Sequence, residues 1–96
     1  MGRPEKPLRT DGGPVAEFAV RLRALRRGAG CPSYRSLATV AHYSAAVLSR
    51  AADGTRLPTW NVTSAYVRAC RGQVPQWRAE WERAQASVRA GDGSPR

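Results

Sequence analysis

The sequence predicts an all-α fold of five short helices, on three observations. Apolar residues recur at helical spacings, and no segment sustains period-two alternation. Small hydroxyl residues stand just ahead of several apolar runs, where they can cap a helix. Glycines and prolines fall between those runs or at their first turn. At 96 residues the chain makes one domain with a single modest core.

Residues 1–14 hold Pro4, Pro7, Gly12, Gly13 and Pro14 among Arg3, Lys6 and Arg9. That composition does not nucleate a helix and predicts a flexible basic arm. Residues 90–96, rich in Gly, Ser and Pro, predict a disordered tail, which leaves 15–89 as the folded domain.

The first helix is expected from about Val15 to Arg27, with Phe18, Leu22 and Leu25 at i, i+4 and i+7 on one face. Arg26 and Arg27 suit the negative end of its dipole, and Gly28 or Gly30 supplies the left-handed residue that closes it. Ser33 caps a second helix, Tyr34 to about Ala41, whose apolar face is Leu37 and Val40. The reciprocal box that Ser33 could form stays incomplete, because Ser36 stands where Glu or Gln would be needed. Only His42 and Tyr43 separate this helix from Ser44, the cap of a third helix that runs to about Ala52, buries Val47 and Leu48, and is stopped by Gly54. Two short helices joined so tightly must cross steeply, and each has too thin an apolar stripe to stand alone. Thr59 caps a fourth helix from Trp60 to Arg71, with Val62, Tyr66, Val67 and Cys70 inward and Gly72 at its end. Pro75 opens a fifth helix carrying Trp77, Trp81, Ala84 or Gln85, and Val88 on one side.

Charge and cysteine usage narrow the function. Sixteen Lys and Arg against seven Asp and Glu give a formal charge of +9, and Lys6 is the only lysine. Guanidinium groups suit phosphate and guanine edges, so the balance favours a polyanionic partner, although an arginine-rich solvated surface has the same composition. Cys31 and Cys70 form neither a disulfide framework nor a metal-ligand spacing, and both are expected as small buried or half-buried apolar residues. With no signal peptide and no apolar run near membrane-spanning length, a cytoplasmic protein without a membrane role is expected. One histidine, scattered carboxylates and no glycine-rich phosphate loop assemble no catalytic constellation, so no enzyme, metal or cofactor is expected.

The run from Tyr34 to Gly54, with Leu37-Ala38, the turn at His42, and Leu48-Ser49-Arg50, resembles the helix-turn-helix of Cro and phage-repressor (Xre-type) proteins. The stretches Met1 to Leu8, Arg56 to Trp60, Tyr66 to Cys70 and Trp77 to Trp81 are similar to an actinobacterial branch of that family. The resemblance implies a repressor-like, DNA-binding regulator of transcription that associates with the nucleoid. Its third helix, beginning near Ser44, would lie in the major groove.

On that resemblance Ser44, Ala45, Ala46 and Arg50 face bases, while Ser33, Tyr34, Arg35, Thr55 and Arg56 hold phosphates. His42 stands where the family often has a left-handed Gly, and Ala38 where it keeps a small residue at the helix crossing. The family's strong discriminators carry Gln, Asn, Lys or Arg where this chain has Ala45 and Ala46, which offer little beyond a methyl contact to thymine. Arg50 reads a guanine or clamps a phosphate, and Tyr34 is either a clamp or a half-buried core aromatic. Arg3, Lys6 and Arg9 are candidate arm contacts along a groove.

For Trp77 and Trp81 a core role and a homodimer contact both stay open, with Trp77 expected in the core and Trp81 the better dimer candidate. Two function classes stand side by side. One is a regulator or a non-specific DNA-packaging protein with limited base readout. The other is a helix-turn-helix module that docks a protein partner.

Overall fold

The computed structural model describes the backbone of residues 13–92 and side chains as far as residue 90. Five helices follow one another: α1 (Pro14–Gly28), α2 (Tyr34–Ala41), α3 (Ala45–Ala51), α4 (Trp60–Ala69) and α5 (Val74–Asp92). The all-α class expected from the sequence is what is observed, with no strand among the described residues. No helix there is long and apolar enough to cross a membrane. Arg3, Lys6 and Arg9 lie outside the described residues.

Three helix starts follow from local chemistry. Ser33 Oγ accepts from the Ser36 amide at 3.0 Å, Ser44 Oγ from that of Val47 at 3.1 Å, and Thr59 Oγ1 from that of Val62 at 3.2 Å. Each hydroxyl satisfies an amide that the first helical turn would otherwise leave unbonded.

The helix ends are less simple than the glycines suggest. Gly28 is still helical, and the left-handed residue after α1 is Gly30 (φ 95°), with the amide of Cys31 returning to Arg26 O at 2.9 Å. After α4 the left-handed residue is Arg71 (φ 62°) rather than Gly72, so the helix closes two residues before Arg71. Gly72 is needed for a different reason. Its amide bonds Val67 O at 2.8 Å, and a Cβ there would sit 2.9 Å from Val67 Cγ1 and 3.2 Å from both Leu25 Cδ atoms.

α4 occupies the centre, touching α2, α3 and α5, while α1 lies along α5. Phe18, Leu22, Leu37, Leu48, Tyr66, Val67 and Trp81 make the core, tightened by Ala41, Ala51 and Ala52. Two expected core valines are displaced. Val40 is 61% exposed, because Leu37 and Ala41, with Tyr34 beside them, turn the buried stripe of α2 away from it. Val47 is only half-buried, and the contact it was expected to make is supplied by Leu48, Ala51 and Ala52. Cys31 is exposed rather than buried, since it follows Gly30 in a positive-φ turn (φ 55°) outside any helix face.

The two tryptophans of α5 also exchange their expected depths. Trp77 is half-buried, edge-on to Phe18 with ring centres 5.6 Å apart. Trp81 is 9% exposed, packs on Trp60 at 5.9 Å, and donates its indole N–H to Pro58 O at 2.8 Å. The ring that seemed the better dimer candidate is enclosed by its own chain, because α4 and the loop before it close over that part of α5.

Trp81→Ala is therefore expected to cost on the order of 3–5 kcal/mol, and Trp77→Ala distinctly less. Trp81→Phe, which keeps an aromatic ring but strips the bond to Pro58, should lose about 1 kcal/mol or somewhat more. Urea unfolding at two protein concentrations checks this. Equal losses for the two alanine variants, or a concentration-dependent midpoint abolished by Trp81→Ala, would place Trp81 outside the core.

Candidate nucleic-acid interface

The turn between α2 and α3 is built on His42, which takes left-handed angles (φ 64°, ψ 23°). A side chain there is tolerated less well than Gly, though His is among the residues that tolerate it best. Ser44 then returns to extended angles and caps α3. Seven residues are too few for a helix to persist alone, so α3 depends on what holds its ends.

Two side chains from distant helices hold the segment that follows it. Arg23 on α1, 9% exposed, donates from Nε to Ala52 O at 2.7 Å, at the carboxyl end of α3 where a cation opposes the helix dipole. Trp81 on α5 bonds Pro58 O at the far end of the same loop. Between them Asp53 Oδ1 accepts from the Thr55 amide at 3.0 Å and from its hydroxyl at 2.7 Å, and Gly54 supplies φ 82°. Residues 52–58 are thereby a fixed structure rather than a slack connection.

The residues expected to face a nucleic acid separate into three groups. Arg50, at the last turn of α3, and Arg56, in the clamped loop, are exposed, as are Ser44 and Ala46; Ala45 is half-buried. Arg35 on α2 is exposed as well. Ser33 and Thr55 are exposed, but their hydroxyls serve local geometry, Ser33 donating to Ser36 Oγ at 3.1 Å and Thr55 to Asp53. Tyr34 turns inward. Its ring lies 4.4 Å under the Arg26 guanidinium and its hydroxyl is 3.3 Å from that of Tyr66. Arg26 in turn donates to Pro32 O at 2.6 Å.

That inward pair has an electrostatic signature. Tyr66 is fully enclosed, and burial together with the Tyr34 hydroxyl raises its phenol far above the ordinary value. Burial likewise raises the Cys70 thiol, with Arg26 opposing.

Glu80 pairs with Arg21 of α1 and with Arg83 at 3.0 Å, and Arg78 pairs with Glu82 at 2.8 Å. Two carboxylates of α5 thus pair with arginines of α1 and of α5 itself. Arg35, Arg50 and Arg56 have no ion-pair partner among the described residues, and neither do the exposed Arg27, Arg68, Arg71 and Arg89; what distinguishes the first three is their place on α2, α3 and the loop that follows.

Two features of this face were not expected from sequence. Arg23 lies outside the Phe18, Leu22 and Leu25 stripe, but Ala16 and Ala19 are buried and widen the inner face to include it; that pair of small residues was the available signal. The second is an open groove of about 450 Å³ beside α3, floored by Val47, Ala51, Leu57 and Val62 and bordered by Arg50 and Arg56. Nothing in the one-dimensional pattern marks it.

A family model described as a helix-turn-helix domain matches residues 17–81, from the first turn of α1 to Trp81. Comparison with curated proteins and with solved structures finds no match.

Two outcomes follow from these contacts. Arg23→Met removes the donor to Ala52 O and should cost about 1–3 kcal/mol, read by urea unfolding; no loss would show that α3 does not need this bond. The second concerns alkaline pH. Tyr66 and Cys70 hold their protons to higher pH when folded than when unfolded. Above about pH 9 the folded chain then binds more protons than the unfolded one. Stability should stay level from neutral to that pH and fall beyond it. The slope should approach about 1.4 kcal/mol per pH unit for each group. Tyr66→Phe should flatten the decline above about pH 10, and an unchanged profile would contradict the assignment.

Proposed function

The chain belongs to the helix-turn-helix domain family, and from that membership and the charge of its α2–α3 face we propose that it is a DNA-binding regulator of transcription. α3, beginning at Ala45 behind its Ser44 cap, enters the major groove. Arg35 and Arg56 hold phosphates on either side. The observation that carries the reading is the exposure of Arg35, Arg50 and Arg56, unpaired among the described residues, around a short helix fixed from two directions. Ser33 contributes its backbone amide rather than its engaged hydroxyl, Thr55, whose amide and hydroxyl both bond Asp53, shapes the loop that carries Arg56, and Tyr34 supports α2 from within.

Base readout on this account is narrow. Ala46 offers a methyl group, Ala45 only part of one, and Arg50 is the single side chain on α3 able to make a bidentate guanine contact. That favours binding dominated by phosphates, up to and including a packaging role, over recognition of a long operator. The arm residues Arg3, Lys6 and Arg9 add further phosphate or minor-groove contacts. Two copies on DNA would set their reading helices about one turn apart, paired through exposed faces rather than through Trp81. The likeness to the actinobacterial Xre-type branch and a location on the nucleoid belong to the same proposal. A module that docks a protein instead of DNA is the competing reading, and the alanines of α3 are what favour it.

Fluorescence-anisotropy titration of a long mixed duplex tests the proposal. With about four to six phosphates engaged, log K should fall against log salt with a slope of about −4 to −5. Arg56→Ala should weaken binding evenly across sequences, whereas Arg50→Ala should also remove about 1–3 kcal/mol of discrimination between matched and scrambled sites. Uniform loss in both variants would make Arg50 a phosphate clamp and the protein a non-specific binder. Absence of binding at low salt would leave the docking module.

A further inference from the structure

We propose that the groove beside α3 is a binding site for a small amphiphilic organic anion, an apolar body carrying one carboxylate. Its volume of about 450 Å³ falls within the usual range of small-molecule sites. The floor is aliphatic, made by Val47, Ala51, Leu57 and Val62, and no acidic residue is among the described residues that line it. Val47, Leu57 and Val62 are left half-buried, so the folded chain keeps apolar surface there that a ligand would cover.

Charge recognition falls to Arg50 and Arg56. The groove's two threonines are already engaged, Thr55 with Asp53 and Thr59 with the Val62 amide. Two guanidiniums at the edge of an apolar floor suit a carboxylate on an apolar body. A DNA phosphate reaches the same guanidiniums but has nothing to lay on the floor. The groove is also preformed, since its loop wall is held at Ala52 O by Arg23 and at Pro58 O by Trp81, and little ordering opposes binding.

Two further grooves among the described residues fit this chemistry less well. One, of about 630 Å³ between α2 and the ends of α1 and α4, has a single cation, Arg71. The other, of about 160 Å³ between α1 and α5, includes Glu17 and Glu80, which offset its arginines. Because Arg50 and Arg56 are also the proposed DNA contacts, an occupied groove competes with DNA; this consequence, though not the site itself, rests on the DNA-binding reading.

The probe is 2-naphthoate, titrated into the isotopically labelled full chain and followed by amide shifts. Saturating shifts are expected at Val47, Arg56, Leu57 and Val62, with half-saturation at about 0.1–1 mM. Arg56→Ala should raise that concentration about ten-fold, which corresponds to one charge-assisted contact. The uncharged 2-naphthamide and inorganic phosphate, which has charge but no apolar body, should each bind at least about ten-fold more weakly. No saturation, shifts centred on other residues, phosphate equal to naphthoate, or an indifferent Arg56→Ala variant would each overturn the site. A second arm adds a labelled duplex, which naphthoate should displace. Naphthoate binding without any duplex binding would sink the DNA-binding reading and leave the groove standing. Duplex binding without naphthoate binding would do the reverse. Simultaneous binding of both would overturn the competition.

Discussion

A helix of seven residues cannot hold itself in place, and α3 is such a helix. It is set by backbone carbonyls that receive side-chain N–H groups from the two helices at the ends of the chain. Arg23 reaches from α1 to Ala52 O and Trp81 from α5 to Pro58 O. These bonds fix both ends of the loop that carries Thr55 and Arg56, and with Ser44 at the front of α3 they determine where Arg50 and Arg56 stand. The same two bonds explain the depth of Trp81, the burial of a guanidinium in α1, and the groove between α3 and the start of α4. A buried arginine is costly unless its donors are satisfied. Here the cost is offset where a cation also meets the negative end of a helix.

How far the sequence could be read depends on the range of the interactions involved. The caps at Ser33, Ser44 and Thr59 were legible because a hydroxyl and an amide two or three residues away decide them. The left-handed His42 was legible only through the family resemblance. Which side of a helix turns inward was harder. Val40 and Leu37 are equally apolar, and only the packing of Tyr34 and Ala41 chooses between the two faces of α2. The order of Trp77 and Trp81 is set by Pro58, which lies 23 positions before Trp81. Gly72 was correctly placed at a helix end but for the wrong cause, since Arg71 takes the left-handed angles and Gly72 makes room for Leu25 and Val67. The candidate site divided likewise. Arg35, Arg50 and Arg56 were identifiable as exposed cations, whereas the inward turn of Tyr34 and the engaged hydroxyls of Ser33 and Thr55 depend on partners that no spacing rule gives.

The distribution of charge carries the physical logic from fold to function. Carboxylates on α5 pair with neighbouring arginines, while Arg35, Arg50 and Arg56, like Arg27, Arg68, Arg71 and Arg89, have no ion-pair partner among the described residues. Three of these guanidiniums stand on α2, α3 and the loop after it. Exposed pairs of this sort add little stability, but they shape the field that an approaching polyanion meets. Against that field the chemistry of α3 itself is sparse, with two alanines and one arginine where a strong reader would carry several polar side chains. Affinity on this account comes from the frame around α3 more than from α3.

The most direct measurement is an amide-shift map of the labelled chain with a short duplex at low salt. Shifts should concentrate at residues 33–36, 44–50 and 54–56, with the outer faces of α1 and α5 nearly silent. A map centred on α5, or on the exposed Val40 face, would contradict the account.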